Sequence, residues 1–207
     1  AIFCGAKPQK MALMRAVLPQ ATALAFPFTV LEVVRLGLTA GLATDDPEHT
    51  EHLPMEALSR VGLTGFEGRF YQELSGGEKQ RVQLARVLTQ VWEPVLNGPP
   101  RWLFLDEPIS ALDIAHQLVV MEIARSFAQA GGGVVAVMHD LNLTAMFSDR
   151  VTLMHQGRVH DTGTPQEVLT NQTLSSAYQC AIQIGTPPPN GVPWLLPQAA
   201  SLDGTHS

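Results

Sequence analysis

Four consecutive apolar residues, Trp102-Leu103-Phe104-Leu105, run without a polar break into Asp106-Glu107-Pro108. A short, fully apolar run bounded by turn residues predicts a buried strand of a sheet covered on both faces. Val134 to Met138 is a second such run and ends at His139. Arg15 to Leu18 is a third candidate strand and breaks at Pro19-Gln20. Between the Trp102 and Val134 runs, Asp113 N-caps a long helical pattern to Ala130, which Gly131-Gly132-Gly133 closes. Strands that alternate with helices predict an α/β fold with a largely parallel sheet.

Such a sheet places ligands beyond the carboxyl ends of its strands. Asp106 and Glu107 stand at one of those ends. The first carboxylate suits Mg²⁺, directly or through its waters. The second is placed to orient or deprotonate a water that attacks a terminal phosphate. A plain capping role for the pair remains open at this point. His139 ends the next strand, and a histidine in that place has an ordinary structural explanation, as Asp140 does as a helix cap. Gln20, at the end of the first strand, is equally unremarkable by itself.

Leu74-Ser75-Gly76-Gly77-Glu78-Lys79-Gln80-Arg81 opens another helical pattern that runs to about Val91. Ser75 and Glu78 have the spacing of a capping box. A capping box needs no glycine, and each glycine costs a helix roughly 1 kcal/mol relative to alanine. Bare amides at a helix N-terminus form an anion site, and glycine lets a phosphate approach the backbone. Thr29 caps a helix with Val30, Val33, Val34 and Leu38 at helical spacing, and Asp46-Pro47 opens a helix that stops at Gly62. The stretch from Thr29 to Tyr71 reads as a helical subdomain. A hairpin turning at Gln156-Gly157 and two short helices beginning at Thr164-Pro165 and Asn171 follow, and the Pro-rich tail from Gly185 is expected to be extended.

Composition narrows the partners. The 207 residues carry a formal charge of −6, so the whole-chain field does not favour nucleic acid. Two distant cysteines, Cys4 and Cys180, argue against a disulfide framework or a zinc site and fit a reducing compartment. The longest apolar stretch, Ala16 to Leu31, is interrupted by Pro19, Gln20 and Pro27 and does not read as a transmembrane helix.

In their order along the chain these signals resemble the ATP-binding subunits of ABC transporters. Gln20 resembles the Q-loop glutamine, Leu74 to Arg81 the signature motif and Trp102 to Glu107 the Walker B strand. Ser110-Ala111-Leu112-Asp113 resembles the D-loop, and His139 the switch histidine. Within that superfamily the chain is similar to the iron-chelate importers, and among these to the haem-importing kind. The residues behind that narrower likeness include Gln83 to Leu88, Pro100 to Leu105, Ser110 to Gln117, Gly131 to Val137 and His139 to Leu143.

The resemblance implies a P-loop NTPase-like ABC ATPase domain with a helical subdomain. It divides the chain into a core remnant at 1–28, a helical subdomain at 29–73, an ATPase core at 74–184 and a tail at 185–207. It implies ATP and Mg²⁺ as cofactors. By matching positions, Asp106 and Gln20 attend the metal, Glu107 is the general base, and His139 contacts the γ-phosphate. Ser75, Gly76, Gly77 and Asp113 face ATP held by an opposite subunit. The partners implied are a second copy or an intact homologue, permease subunits docking at 29–73, and indirectly a periplasmic haem-binding protein. The place implied is the cytoplasmic face of the bacterial inner membrane, and ferric siderophore or cobalamin is the alternative cargo.

Two departures stand out. The family places a Gly-rich loop with a Gly-Lys dipeptide before the Q-loop, and no Gly-Lys dipeptide occurs in these 207 residues. The chain is therefore expected to be N-terminally truncated and poorly active or inactive alone, with a non-catalytic remnant as the alternative reading. Ile109 stands where the family usually has threonine.

Overall fold

The computed structural model describes residues 11, 13–20, 26–40, 47–188, 191–193 and 195–196. The expected cap at Asp46, Cys4 and most of the Pro-rich tail lie outside the described residues. The chain divides into two compact units, 1–137 and 138–207.

The first unit is built on a three-stranded parallel sheet in the order β1-β2-β3, with β1 Arg15–Leu18, β2 Trp102–Asp106 and β3 Gly133–Val137. Ala16 pairs with Leu103 and Leu18 with Leu105, while Asp106 pairs with Val137. Helix α4, Ile114–Gln129, is the crossover from β2 to β3. Asp113 caps it as expected, its carboxylate accepting from the His116 amide. Three strand boundaries in this sheet move by one residue, β3 ending at Val137 rather than Met138. β2 extends one residue to include Asp106, and β3 starts at Gly133, because a Cβ there would lie 2.5 Å from the Trp102 indole and only glycine admits that ring.

The expectation of a sheet covered on both faces is corrected. Ala16, Leu18, Leu103 and Leu105 are buried. On the other face Val17 and Val135, aligned with Phe104 in one cross-strand row, are 46% and 45% exposed, and Val137 is 52% exposed. Apolar character fixes what a face can bury, not what lies over it.

Helix α1, Val30–Ala40, and helix α2, Pro47–Arg60, pack with α3, Gly76–Gln90. Thr29 and Glu32 close the start of α1: the Glu32 carboxylate accepts from the Thr29 amide at 2.7 Å, and the Glu32 amide donates to the Thr29 hydroxyl at 3.3 Å. Val30, Val33 and Val34 are fully buried along one stripe. Gly37 lets α1 cross α3 closely, since a Cβ there would sit 2.0 Å from the Arg86 carbonyl oxygen. Thr89 seals the crossing by donating to the Val34 carbonyl at 3.1 Å.

In the second unit, α5 spans Leu141–Phe147 and is capped by Asp140. The hairpin β4–β5, Val151–His155 and Arg158–Gly163, turns through Gln156 (φ 49°) and Gly157 (φ 74°). Those positive dihedrals suit a two-residue hairpin turn. Helix α6, Pro165–Val168, starts with a Thr164–Glu167 capping box, and Thr170 caps α7, Asn171–Tyr178. No helix among the described residues is long and apolar enough to cross a membrane.

Candidate functional site

The capping box inferred from spacing forms at the start of α3. The Ser75 amide donates to Glu78 Oε2 at 2.7 Å, and the Glu78 amide donates to Ser75 Oγ at 3.3 Å. That Ser75 amide, helped by the Ser75 side chain and more weakly by Arg69 and Arg81, holds the Glu78 carboxyl below the usual glutamate range. The remaining first-turn amides have no partner within a helix.

The glycine pair splits into two roles. A Cβ on Gly77 would lie 2.9 Å from the Ala111 carbonyl oxygen and 3.2 Å from Leu112 Cδ2, whereas one on Gly76 would meet only the Ala111 Cβ at 3.9 Å. Gly77 is therefore fixed by its own chain's backbone, the loop after β2. Gly76 is exposed and carries no such internal demand.

Ser75, Gly76, Gly77, Glu78 and Arg81 line one side of a hollow of about 410 Å³, and Ala111, Leu112, Asp113 and His116 line the other. The first turns of α3 and α4 thus meet at one place, and both present the positive ends of their dipoles to it. Asp113 offsets one of them: its carboxyl is held below the usual range first by the His116 amide and then by the His116 ring, whose Nδ1 lies 2.8 Å from Asp113 Oδ1. Arg81 supplies a buried cation behind the hollow. It is 8% exposed, and its Nη1 donates to the Val61 and Gly62 carbonyls at 2.9 and 3.0 Å. Its Nε has no partner, and burial lowers its pKa. The hollow thus gathers first-turn amides, the Arg81 guanidinium, His116 and the Glu78 and Asp113 carboxylates at one place.

A second cluster forms at the carboxyl end of β2. Gln20 Nε2 donates to Glu107 Oε2 at 2.9 Å. Asp106 is exposed at the strand's last position. Glu107 has φ 47°, a left-handed conformation that costs a non-glycine residue roughly 1–2 kcal/mol. The surroundings over-determine it. Its amide donates to the Val137 carbonyl at 3.1 Å, and its own carbonyl accepts from Ser110 and from Gln80. Strain held this way is a common property of functional positions.

Of the residues singled out in the sequence, Gln20 and Glu107 are joined directly, and Ser75, Gly76, Gly77 and Asp113 line one hollow. Asp106 adjoins Glu107. His139 is exposed and follows β3 in the second unit. Ile109 is buried at 6% exposure, where its carbonyl accepts from the Leu112 amide at 3.2 Å, so at this position it serves as a core residue of the loop. Sequence reasoning passed over Gln80, Arg81 and His116. Gln80 was detectable: three and four residues after Gly77 and Gly76, it shares their helix face.

A family model for ABC transporters matches residues 5–110.

The chain belongs to the ABC transporter family.

The hemin import ATP-binding protein HmuV of Jannaschia sp. (strain CCS1) is 65% identical over 198 residues, 96% of this chain and 72% of that protein. The protein of the same name from Mesorhizobium japonicum is 59% identical over 94% of this chain and 74% of its own length. Among solved structures, an ATP-binding cassette captured as a dimer after hydrolysis with ADP and phosphate bound superposes with a TM-score of 0.62 at 25% identity, over 76% of this chain and 65% of the other. An ATP-binding subunit of an ABC transporter gives a TM-score of 0.66 at 22% identity, over 82% of this chain and 66% of the other, a likeness of fold. The chain therefore spans about two thirds to three quarters of the proteins it matches. The family uses ATP, and its ATP-binding subunits work as dimers with transmembrane permease partners.

Proposed function

We propose that this chain is the ATP-hydrolysing subunit of an importer for haem, working at the cytoplasmic face of a bacterial inner membrane. The observation that carries the chemistry is the Gln20–Glu107 bond at the carboxyl end of β2, the place where a parallel sheet presents its ligands. The cargo rests on the relatives named for hemin import, 56–65% identical across at least 92% of this chain.

The residues fit the cofactors. One or two carboxylates completed by phosphate oxygens are a usual Mg²⁺ environment. Asp106 would hold that ion with help from Gln20, whose Nε2 is engaged by Glu107 and whose amide oxygen is left as the acceptor. When bound, the metal supplies charge neutralisation on the phosphates. Glu107 accepts a proton from the attacking water, and the Gln20 amide fixes the direction of its carboxylate. His139 contributes a polar contact to the γ-phosphate.

The hollow at Ser75, Gly76 and Gly77, with Asp113 beside it, takes the γ-phosphate of ATP held by a second subunit. First-turn amides of a 15-residue helix and the buried Arg81 charge provide the attraction. Each active site is then shared by two subunits, and the helical stretch 29–73 meets the permease. A periplasmic haem-binding protein delivers cargo on the far side without touching this chain.

The test is ATP-driven uptake into proteoliposomes by the full-length subunit assembled with its permease and binding protein. Haem, a ferric siderophore and cobalamin are offered separately. Uptake of haem alone is expected, and uptake of siderophore or cobalamin in its place would overturn the cargo assignment.

A further inference from the structure

Gln80 lies on α3 one turn beyond the glycine pair, and both ends of its amide are engaged by the loop after β2. Its Nε2 donates to the Glu107 carbonyl at 2.9 Å, across 27 residues of sequence. Its Oε1 accepts from the Ala111 amide at 3.3 Å. The two loop groups it holds are the left-handed residue itself and the residue whose carbonyl presses on Gly77.

The Glu107 carbonyl has two other donors, the Ser110 amide at 3.4 Å and the Ser110 hydroxyl at 3.2 Å. Both come from the same short turn, and both are longer than the Gln80 contact. The 3.4 Å amide contact lies beyond the usual N–H···O range of about 2.7–3.2 Å, and the 2.9 Å contact lies at its mode. Gln80 is thus the tightest restraint on that carbonyl and the one that ties it to a separate, rigid element. Without it, the Glu107 carbonyl keeps only the longer contacts from its own turn, and the Ala111 amide loses this acceptor.

We propose that Gln80 is a positioning residue for Glu107: by bridging the Glu107 carbonyl and the Ala111 amide, it fixes the water-activating carboxylate and the Asp113 loop in register with the Ser75-Gly76-Gly77 helix start. The proposal rests on the ATPase reading of Glu107. It makes the half-site offered to a partner's ATP and the carboxylate acting on this subunit's own ATP parts of one hydrogen-bonded unit. A shift of the α3 start is then felt at Glu107 through a single side chain.

The test uses the full-length subunit assembled with its permease, with MgATP turnover measured for the wild type, Gln80→Met, Gln80→Glu, Glu107→Gln and the double variant Gln80→Met/Glu107→Gln. Gln80→Met keeps side-chain length and removes both bonds. Gln80→Glu keeps an acceptor for Ala111 and removes the donor to Glu107, so it carries the test if the methionine variant fails to fold. Misplacing a reacting group by about 1 Å can cost about a hundredfold in rate, so kcat is expected to fall at least about tenfold while KM stays within about twofold. The double variant is expected to be no slower than Glu107→Gln alone, since the glutamine acts through that carboxylate.

Wild-type kcat in both Gln80 variants overturns the proposal, and so does a loss in the double variant equal to the product of the Gln80→Met and Glu107→Gln losses. Wild-type turnover in Glu107→Gln overturns the reading of the site itself, and that result is separate from anything Gln80 does.

Discussion

Gln20 Nε2 stands 2.9 Å from Glu107 Oε2 although 87 residues separate them. The parallel register of β1 on β2 makes this contact. Leu18 is level with Leu105, so the residues just beyond the two strand ends emerge side by side. One of those residues is an amide that can report and orient, and the other is a carboxylate that can take a proton. The pairing joins an amide to a carboxylate at the carboxyl end of the sheet.

The two signature glycines should behave differently. Gly77→Ala forces a methyl against the Ala111 carbonyl and is expected to destabilise the fold by about 1–3 kcal/mol, with a lower Tm in calorimetry. Gly76→Ala meets only ordinary contact and is expected to keep or slightly raise Tm, because alanine is the better helix former. A loss of ATP turnover in Gly76→Ala at unchanged Tm would then report phosphate contact alone.

Arg81 is expected to act through stability. It donates to the two carbonyls that end the α2 segment, and Arg81→Met leaves both without that donor. Bonds from a charged donor contribute about 1.5–3 kcal/mol each, so urea denaturation should show a loss of at least about 2 kcal/mol. An unchanged midpoint would contradict the placement.

The Glu78 cap gives a pH signature. Its carboxyl is held below the usual range chiefly by the Ser75 amide, so the folded state favours the ionised form. A carboxylate depressed on folding adds stability above its unfolded value of about 4.3, and that stability is lost as pH falls through the lower folded value. The Tm difference between wild type and Glu78→Gln is therefore expected to be present at pH 6 and to shrink toward pH 3. A constant difference across that range would contradict the capping role of the charge.

Local features were the most legible in the sequence. The capping box at Ser75, the helix start at Thr164-Pro165, the caps at Asp113 and Asp140 and the Gln156-Gly157 turn depend on residues within four positions of one another, and the sequence displays them directly. The order of the motifs carried the family. What stayed hidden depends on tertiary approach. Gly77 looked like a ligand requirement, and its closest demand is the Ala111 carbonyl. Gln80 and Arg81 stood within the signature-like stretch with no role of their own, because their partners lie 19 to 31 residues away.

The central claim is that Glu107 activates water for ATP hydrolysis. Its most direct measurement is steady-state MgATP turnover by the full-length, permease-bound subunit carrying Glu107→Gln, which keeps the side chain's size and its acceptor for Gln20. A general base contributes about 10²–10⁴-fold, so kcat is expected to fall at least about a hundredfold with the KM for ATP little changed. Turnover at the wild-type rate would contradict the account.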